Sequence, residues 1–222
     1  MLVLHYTAMA DVSEAVARLT DPGSHVSSHY LVGSGGEIFE LVPETRRAWH
    51  AGQSYWAGQQ DLNSCSIGIE IDHPGHEGGN PGYSNVQIES LIGLCREILR
   101  RWPIPAHRIL AHSDIAPHRK QDPGERFPWK LLSRAGIGHW VEPALLNGEN
   151  SQLVDGQARI LSLQNHLAQY GYRIESTGRL DEQTRIILIA FQRHFRPERV
   201  DGNADISTAM TLARLLEQLR PS

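Results

Sequence analysis

Cysteine is scarce in these 222 residues: there are two, Cys65 and Cys95. Two cannot supply a disulfide framework, and their spacing matches no metal or redox pair, so both are read as buried thiols. Long apolar runs are missing as well. The longest covers residues 186–191, far short of the roughly 20 residues a helix needs to cross a bilayer, so no transmembrane helix is expected. Excess positive charge is also absent. With 21 basic against 25 acidic side chains and a net charge of −4, a nucleic-acid binder working through a basic surface is excluded. No basic segment followed by an apolar one and a small-residue cleavage site precedes the first strand-like run, residues 2–6, so these residues are expected to hold no secretory signal.

What is present is the balance of a soluble globular chain, 40% hydrophobic and 21% charged. At roughly 150 residues per domain, the length suits one full domain plus a smaller one. Histidine is plentiful: there are 12, and those at 5, 25, 29, 50, 73, 76, 107, 112, 118 and 139 all precede residue 140. Because histidine serves as metal ligand and as acid or base, the chemistry is expected in the first part of the chain.

Asp11 caps a helical pattern of Val12, Ala15, Val16 and Leu19 that Asp21-Pro22-Gly23 stops. Residues 29–32 and 37–42 read as strands joined by Gly33-Ser34-Gly35-Gly36. In residues 65–72, Ile67, Ile69 and Ile71 alternate with Gly68, Glu70 and Asp72, the pattern of a strand with two unlike faces. Ser84 opens the clearest helix, which stops at Pro103. After it come a short strand at 108–111, a polar loop at 113–124 and a brief helix at 129–135. A mixed α/β sheet flanked by helices is therefore expected. Residues 158–170, 182–195 and 206–219 read as three further helices. The expected division is a domain at 1–140, a linker at 141–151 and a small three-helix domain at 152–222. The last is near the lower size limit for folding alone and is expected to rest on the first.

No ligand-type pair has the spacing of a zinc finger or of H-E-x-x-H, so a metal site must be assembled from distant segments. Three polar residues sit where a fold would be better served by apolar or turn residues. These are His5 inside a strand, Glu70 among isoleucines and His112 at a strand end. Buried, each is costly unless paired or metal-bound, the competing reading being a satisfied core residue.

Six ordered blocks then carry a resemblance. They are Val3-Leu4-His5-Tyr6-Thr7, Val26-Ser27-Ser28-His29-Tyr30-Leu31-Val32, Arg47-Ala48-Trp49-His50-Ala51-Gly52, Ser66-Ile67-Gly68-Ile69-Glu70, Ala111-His112-Ser113-Asp114-Ile115-Ala116-Pro117, and Arg119-Lys120-Gln121-Asp122-Pro123-Gly124. Together they resemble the zinc-dependent N-acetylmuramoyl-L-alanine amidases of the type 2 amidase family, over residues 3 to about 130. Gly136-Ile137-Gly138, Tyr170-Gly171-Tyr172 and Phe191-Gln192-Arg193-His194-Phe195-Arg196-Pro197 extend the likeness to its Gram-negative envelope members.

The resemblance implies the amidase/peptidoglycan-recognition fold and one Zn2+ per chain on His5, His112 and Asp122, a set that leaves a fourth position for water. It implies Glu70 as the proton carrier and Lys120 as the group facing the oxyanion. Trp49, His50 and Asn63 are candidate substrate contacts, against core packing for Trp49 and a structural role for His50. His118 stands where relatives more often carry Gly or Gln and has no assigned role. His29 is a candidate support for the site, and histidines 25, 73, 76, 107 and 139 are expected to be exposed.

Leu163-Gln164, Leu167, Gly178, Asp181, Thr184 and Phe191-Gln192 resemble the peptidoglycan-binding domain 1 family, implying either wall binding or a structural brace. The activity implied is hydrolysis of the amide between N-acetylmuramic acid and L-alanine in peptidoglycan or muropeptides, in cell wall degradation or recycling. The alternative is a non-catalytic peptidoglycan-recognition protein. A monomer is expected, in the periplasm and tethered to the outer membrane if a leader outside this sequence provides an anchor. The cytoplasm is the alternative.

Overall fold

Alternating side-chain direction along four parallel strands gives a sheet one apolar face and leaves the polar strand residues on the other. The computed structural model describes residues 1–220. Its main elements are β1 (Leu2–Tyr6), α1 (Val12–Thr20), β2 (Tyr30–Val32), β3 (Ile38–Glu40), β4 (Ile67–Ile71), α2 (Asn85–Arg101), β5 (Ile109–Ala111), α3 (His112–Ile115), α4 (Trp129–Arg134), α5 (Gln157–Tyr170), α6 (Glu182–Phe195) and α7 (Ile206–Gln218). The strands lie in the order β3-β2-β4-β1-β5, antiparallel between β2 and β3 and parallel elsewhere. This is the mixed, helix-flanked sheet that the sequence predicts.

Leu2, Leu4, Ile67, Ile69, Ile71 and Ile109 share a core with Ile88, Leu91, Leu94, Cys95 and Ile98, the buried stripe of α2. The opposite face carries Val3, His5, Gly68 and Glu70, and the register sets His5 beside Glu70. Both lie toward the C-terminal ends of parallel strands, where open α/β sheets place their ligands. The 113–124 stretch is not wholly the loop expected. It opens with one turn of helix, α3, because the Asp114 carboxylate folds back to accept the Ala111 N–H at 2.8 Å. Cys95 is buried as expected, but Cys65 is exposed, since it precedes the protected part of β4.

The three C-terminal helices do rest on the first unit. Trp56, Leu62, Leu110 and Ile115 join Ile160, Leu163, Phe191, Phe195 and Leu212 in one core cluster. Trp56 meets Tyr170 and Tyr172 edge-on, with ring centroids 5.9 and 4.9 Å away. Between those tyrosines Gly171 adopts φ +142°, and a Cβ there would stand 2.6 Å from the Trp56 ring, so glycine admits the indole.

Candidate metal centre and active site

Three segments deliver ligand-type atoms to one point. β1 supplies His5, the β5–α3 junction supplies His112, and the loop after α3 supplies Asp122, tied back by the Ser113 N–H donating to the Asp122 carbonyl at 3.0 Å. His5 Nδ1 lies 2.8 Å from His112 Nδ1 and 3.2 Å from Asp122 Oδ2, and His112 Nδ1 lies 3.0 Å from the same carboxylate oxygen. All three residues are buried, and among the described residues they form the group able to hold a metal.

The hydrogen bonds behind the rings decide which nitrogens face that point. His112 Nε2 is 3.3 Å from the Ala51 carbonyl and 3.4 Å from Arg119 Nη2; assigned as the donor to the shorter contact, the carbonyl, it leaves the lone pair on Nδ1. The Ser66 hydroxyl donates to the Leu62 carbonyl, so toward His50 Nε2, 3.3 Å away, it accepts. His50 Nδ1 is then an acceptor for His5 Nε2–H at 3.0 Å, which leaves His5 Nδ1 unprotonated. Two lone pairs and a carboxylate oxygen thus face one another, a donor set that suits a cation such as zinc.

Charge agrees with that arrangement. Burial, and then the neighbouring His112, push the His5 imidazole down to about 4. Burial alone would raise the Asp122 carboxyl, but His112 and His5 outweigh it and hold it below the ordinary carboxylate range. Glu70 behaves oppositely. Burial, and then Asp122, raise it well above the ordinary value against the pull of Lys120, and its Oε2 is buried without a partner among the described residues.

A cleft of about 220 Å³ joins Glu70, Lys120, His112, Asp122, His50 and Trp49 on one lining. Trp49 is 56% exposed, so its alternative as core packing does not hold, and the Arg47 guanidinium lies over its ring at 4.3 Å. Asn63 stands behind the cleft wall instead of in it. Its Oδ1 accepts the N–H groups of His50 and Ala51 at 3.0 and 2.8 Å, holding the backbone whose carbonyl receives His112. Gly68 is needed beside His50, because a Cβ would come within 2.4 Å of that ring.

His118 is exposed on a separate groove with Tyr55 and Arg173, apart from the three converging atoms. His29 is buried and accepts the Gly68 N–H at 3.0 Å. His73 and His139 are buried, contrary to expectation, because Tyr83 stacks on the first and the hydroxyl of Tyr170 bonds the second. Sequence reasoning did not find Tyr6, Thr7, Arg18 or Ser27 on the cleft, nor Arg119 donating to the Ala51 carbonyl. The position of Tyr6 and Thr7 in the first ordered block, of Ser27 in the second, and of Arg119 one residue before Lys120, was the available signal.

The family model described as "N-acetylmuramoyl-L-alanine amidase" matches residues 1–125, and that described as "Putative peptidoglycan binding domain" matches residues 156–212. The chain is 40% identical over 234 residues to N-acetylmuramoyl-L-alanine amidase AmiD of Escherichia coli K12, an alignment covering 98% of this chain and 82% of that protein. The solved complex of E. coli AmiD with anhydro-N-acetylmuramic acid-L-Ala-D-gamma-Glu-L-Lys matches with a TM-score of 0.86 and 39% identity, over 98% of this chain and 88% of that one. Pseudomonas aeruginosa AmpDh3 with anhydromuramic pentapeptide matches with a TM-score of 0.87 and 38% identity, over 100% and 92% of the two chains.

Proposed function

Since the chain belongs to the N-acetylmuramoyl-L-alanine amidase family, we propose that it cleaves the amide between the lactyl group of N-acetylmuramic acid and L-alanine with His5, His112 and Asp122 holding one zinc ion. The observation that carries this reading is the convergence of His5 Nδ1, His112 Nδ1 and Asp122 Oδ2 beside a cleft that also presents Glu70. Zinc bound there supplies a Lewis acid and lowers the pKa of a water to about 7.

Glu70 takes a proton from the attacking water. Burial, which favours the protonated carboxyl, then lets Glu70 hold that proton until the amine departs. Water oxygen adds to the lactyl carbonyl carbon, the C–N bond breaks, and the proton held by Glu70 passes to the nitrogen of L-alanine. The products are a muramic-acid carboxylate and a free stem peptide. Lys120, on the same lining, faces the oxyanion that forms as water adds. Trp49 offers its exposed face to the substrate, His50 lines the cleft and receives the His5 Nε2–H, and Asn63 positions the site from behind.

E. coli AmiD and P. aeruginosa AmpDh3 have each been solved with an anhydromuramic peptide, so anhydro-muropeptides are the substrates to try first. The proposed division into domains is 1–140, 141–151 and 152–222; the last is a wall-binding module or a structural brace, and its match to the peptidoglycan-binding family over residues 156–212 supports the first. The likeness to AmiD supports placing it, as a monomer, in the periplasm in preference to the cytoplasm. Among the described residues no helix is long and apolar enough to cross a membrane.

The test is stem-peptide release from an anhydro-muropeptide by the zinc-loaded protein, followed by chelation and zinc restoration. Release that is lost with the chelator and regained with zinc supports the reading. Tight binding without release would instead restore the recognition-protein alternative, which nothing in the site favours, since all three ligand-type residues and Glu70 are present.

A further inference from the structure

Where the C-terminal unit meets α3, the contact is not purely apolar. Asp114 is buried there at 1% exposure, and its carboxylate receives three donors. One is local, the Ala111 N–H at 2.8 Å on Oδ2. The other two come from the C-terminal unit: the Tyr172 hydroxyl at 2.7 Å on Oδ1 and His194 Nδ1 at 2.6 Å on Oδ2. The His194 ring is itself clamped between Trp129 and Phe195, with both centroids at 3.8 Å. A carboxylate this deeply buried is costly unless its partners hold it, and an interface needing only adhesion would be served by apolar side chains.

The place of Asp114 shows what it holds. The Asp114–Ala111 bond closes the single turn of α3, and His112 is the first residue of that turn. The same turn sends the Ser113 N–H to the Asp122 carbonyl, so it bears on two of the three ligand-type residues. Nothing inside the first domain replaces the Tyr172 and His194 bonds among the described contacts of Asp114.

We propose that Tyr172 and His194 are positioning residues for the metal centre: through Asp114 they fix the α3 turn, so that the C-terminal unit, whatever it binds, is a structural part of the active site. The proposal rests on the zinc reading of His5, His112 and Asp122. Loss of either bond leaves a buried carboxylate oxygen short of a donor and loosens the turn that aims His112.

The test uses the full-length chain and reads zinc affinity by competition with a chromophoric chelator, together with the visible spectrum of the cobalt(II)-loaded protein. Tyr172→Phe and His194→Ala are expected to weaken zinc binding about tenfold and to alter the cobalt spectrum. His194→Asn, which keeps a donor near the place of Nδ1, is expected to stay close to wild type. Leu212→Ala, in the core of the same unit, is expected to lower thermal stability with unchanged zinc affinity. The proposal is overturned if Tyr172→Phe and His194→Ala bind zinc like wild type, or if Leu212→Ala weakens it equally. A wild-type chain that takes up no zinc overturns the metal reading and this proposal together.

Discussion

Glu70 and the metal ligands do different work, and substitution should separate them. Glu70→Gln keeps the side-chain shape but cannot carry the proton. We expect full zinc content and a kcat lower by about two to four orders of magnitude, whereas His112→Ala should lose the metal. Metal analysis beside steady-state kinetics checks both, and a Glu70→Gln enzyme of normal kcat would remove Glu70 from the mechanism.

Ser66 offers a subtler case. Without its hydroxyl, the His50 Nε2–H loses its acceptor and the ring can turn its proton to Nδ1. His5 must then shift its own proton onto the nitrogen that faces the metal point. Ser66→Ala is expected to weaken zinc binding about tenfold, and unchanged affinity in chelator competition would refute the relay. Such residues mark where sequence legibility ends. His5, Glu70 and His112 stood out because polar side chains in strands are costly. Ser66, Arg119 and the backbone role of Asn63 did not, because their importance lies in which carbonyl or ring they meet. For the same reason His73 and His139 looked like loop histidines while Tyr83 and Tyr170 bury them.

Among the elements, α2 and β4 were readable because each carries one unbroken period, a helical stripe in one and strict alternation in the other. The turn α3 was not, since it is closed by a side chain that folds back instead of by an apolar pattern. The link between β2 and the end of α2 was equally hidden in sequence. Glu44 receives the Tyr30 hydroxyl at 2.9 Å, Arg101 Nε at 3.0 Å and Trp102 Nε1 at 2.7 Å. Hydrogen bonding from Arg101, outweighing burial, lowers the Glu44 carboxyl from 4.5 to about 2. A folded-state value below the unfolded one stabilises above pH 4.5, and that contribution disappears as pH falls toward about 2. Glu44→Gln should therefore melt about 2–4 °C below wild type near pH 7, with the gap closing as acid is added. Thermal melts at a series of pH values would show it, and a gap that widens in acid would contradict the assignment.

At the scale of the molecule, the sequence pointed to a boundary near residue 140, yet the core does not respect it. Val3, Trp56, Leu110 and Ile115 from the first unit share one cluster with Ile160, Phe191 and Leu212 from the second. Sequence periodicity reports that each helix has an apolar face and not which surface covers it. Tyr170-Gly171-Tyr172 was visible as a motif, but its reason is the Trp56 ring lodged against the glycine. Units joined by a thin, polar interface unfold in separate steps, whereas units sharing a core lose that core together. The full chain is accordingly expected to unfold in one calorimetric transition whose van't Hoff and calorimetric enthalpies agree. Gly171→Ala tests the cause, because its Cβ would collide with Trp56 at a φ that strains any L side chain. An overpacking cost of about 1–3 kcal/mol is expected, appearing as a lower melting temperature and, where the units part, a second transition. Two resolved transitions in the wild-type chain would show instead that the shared cluster does not couple the units, and the influence of Tyr172 and His194 on the α3 turn would lose its mechanical basis.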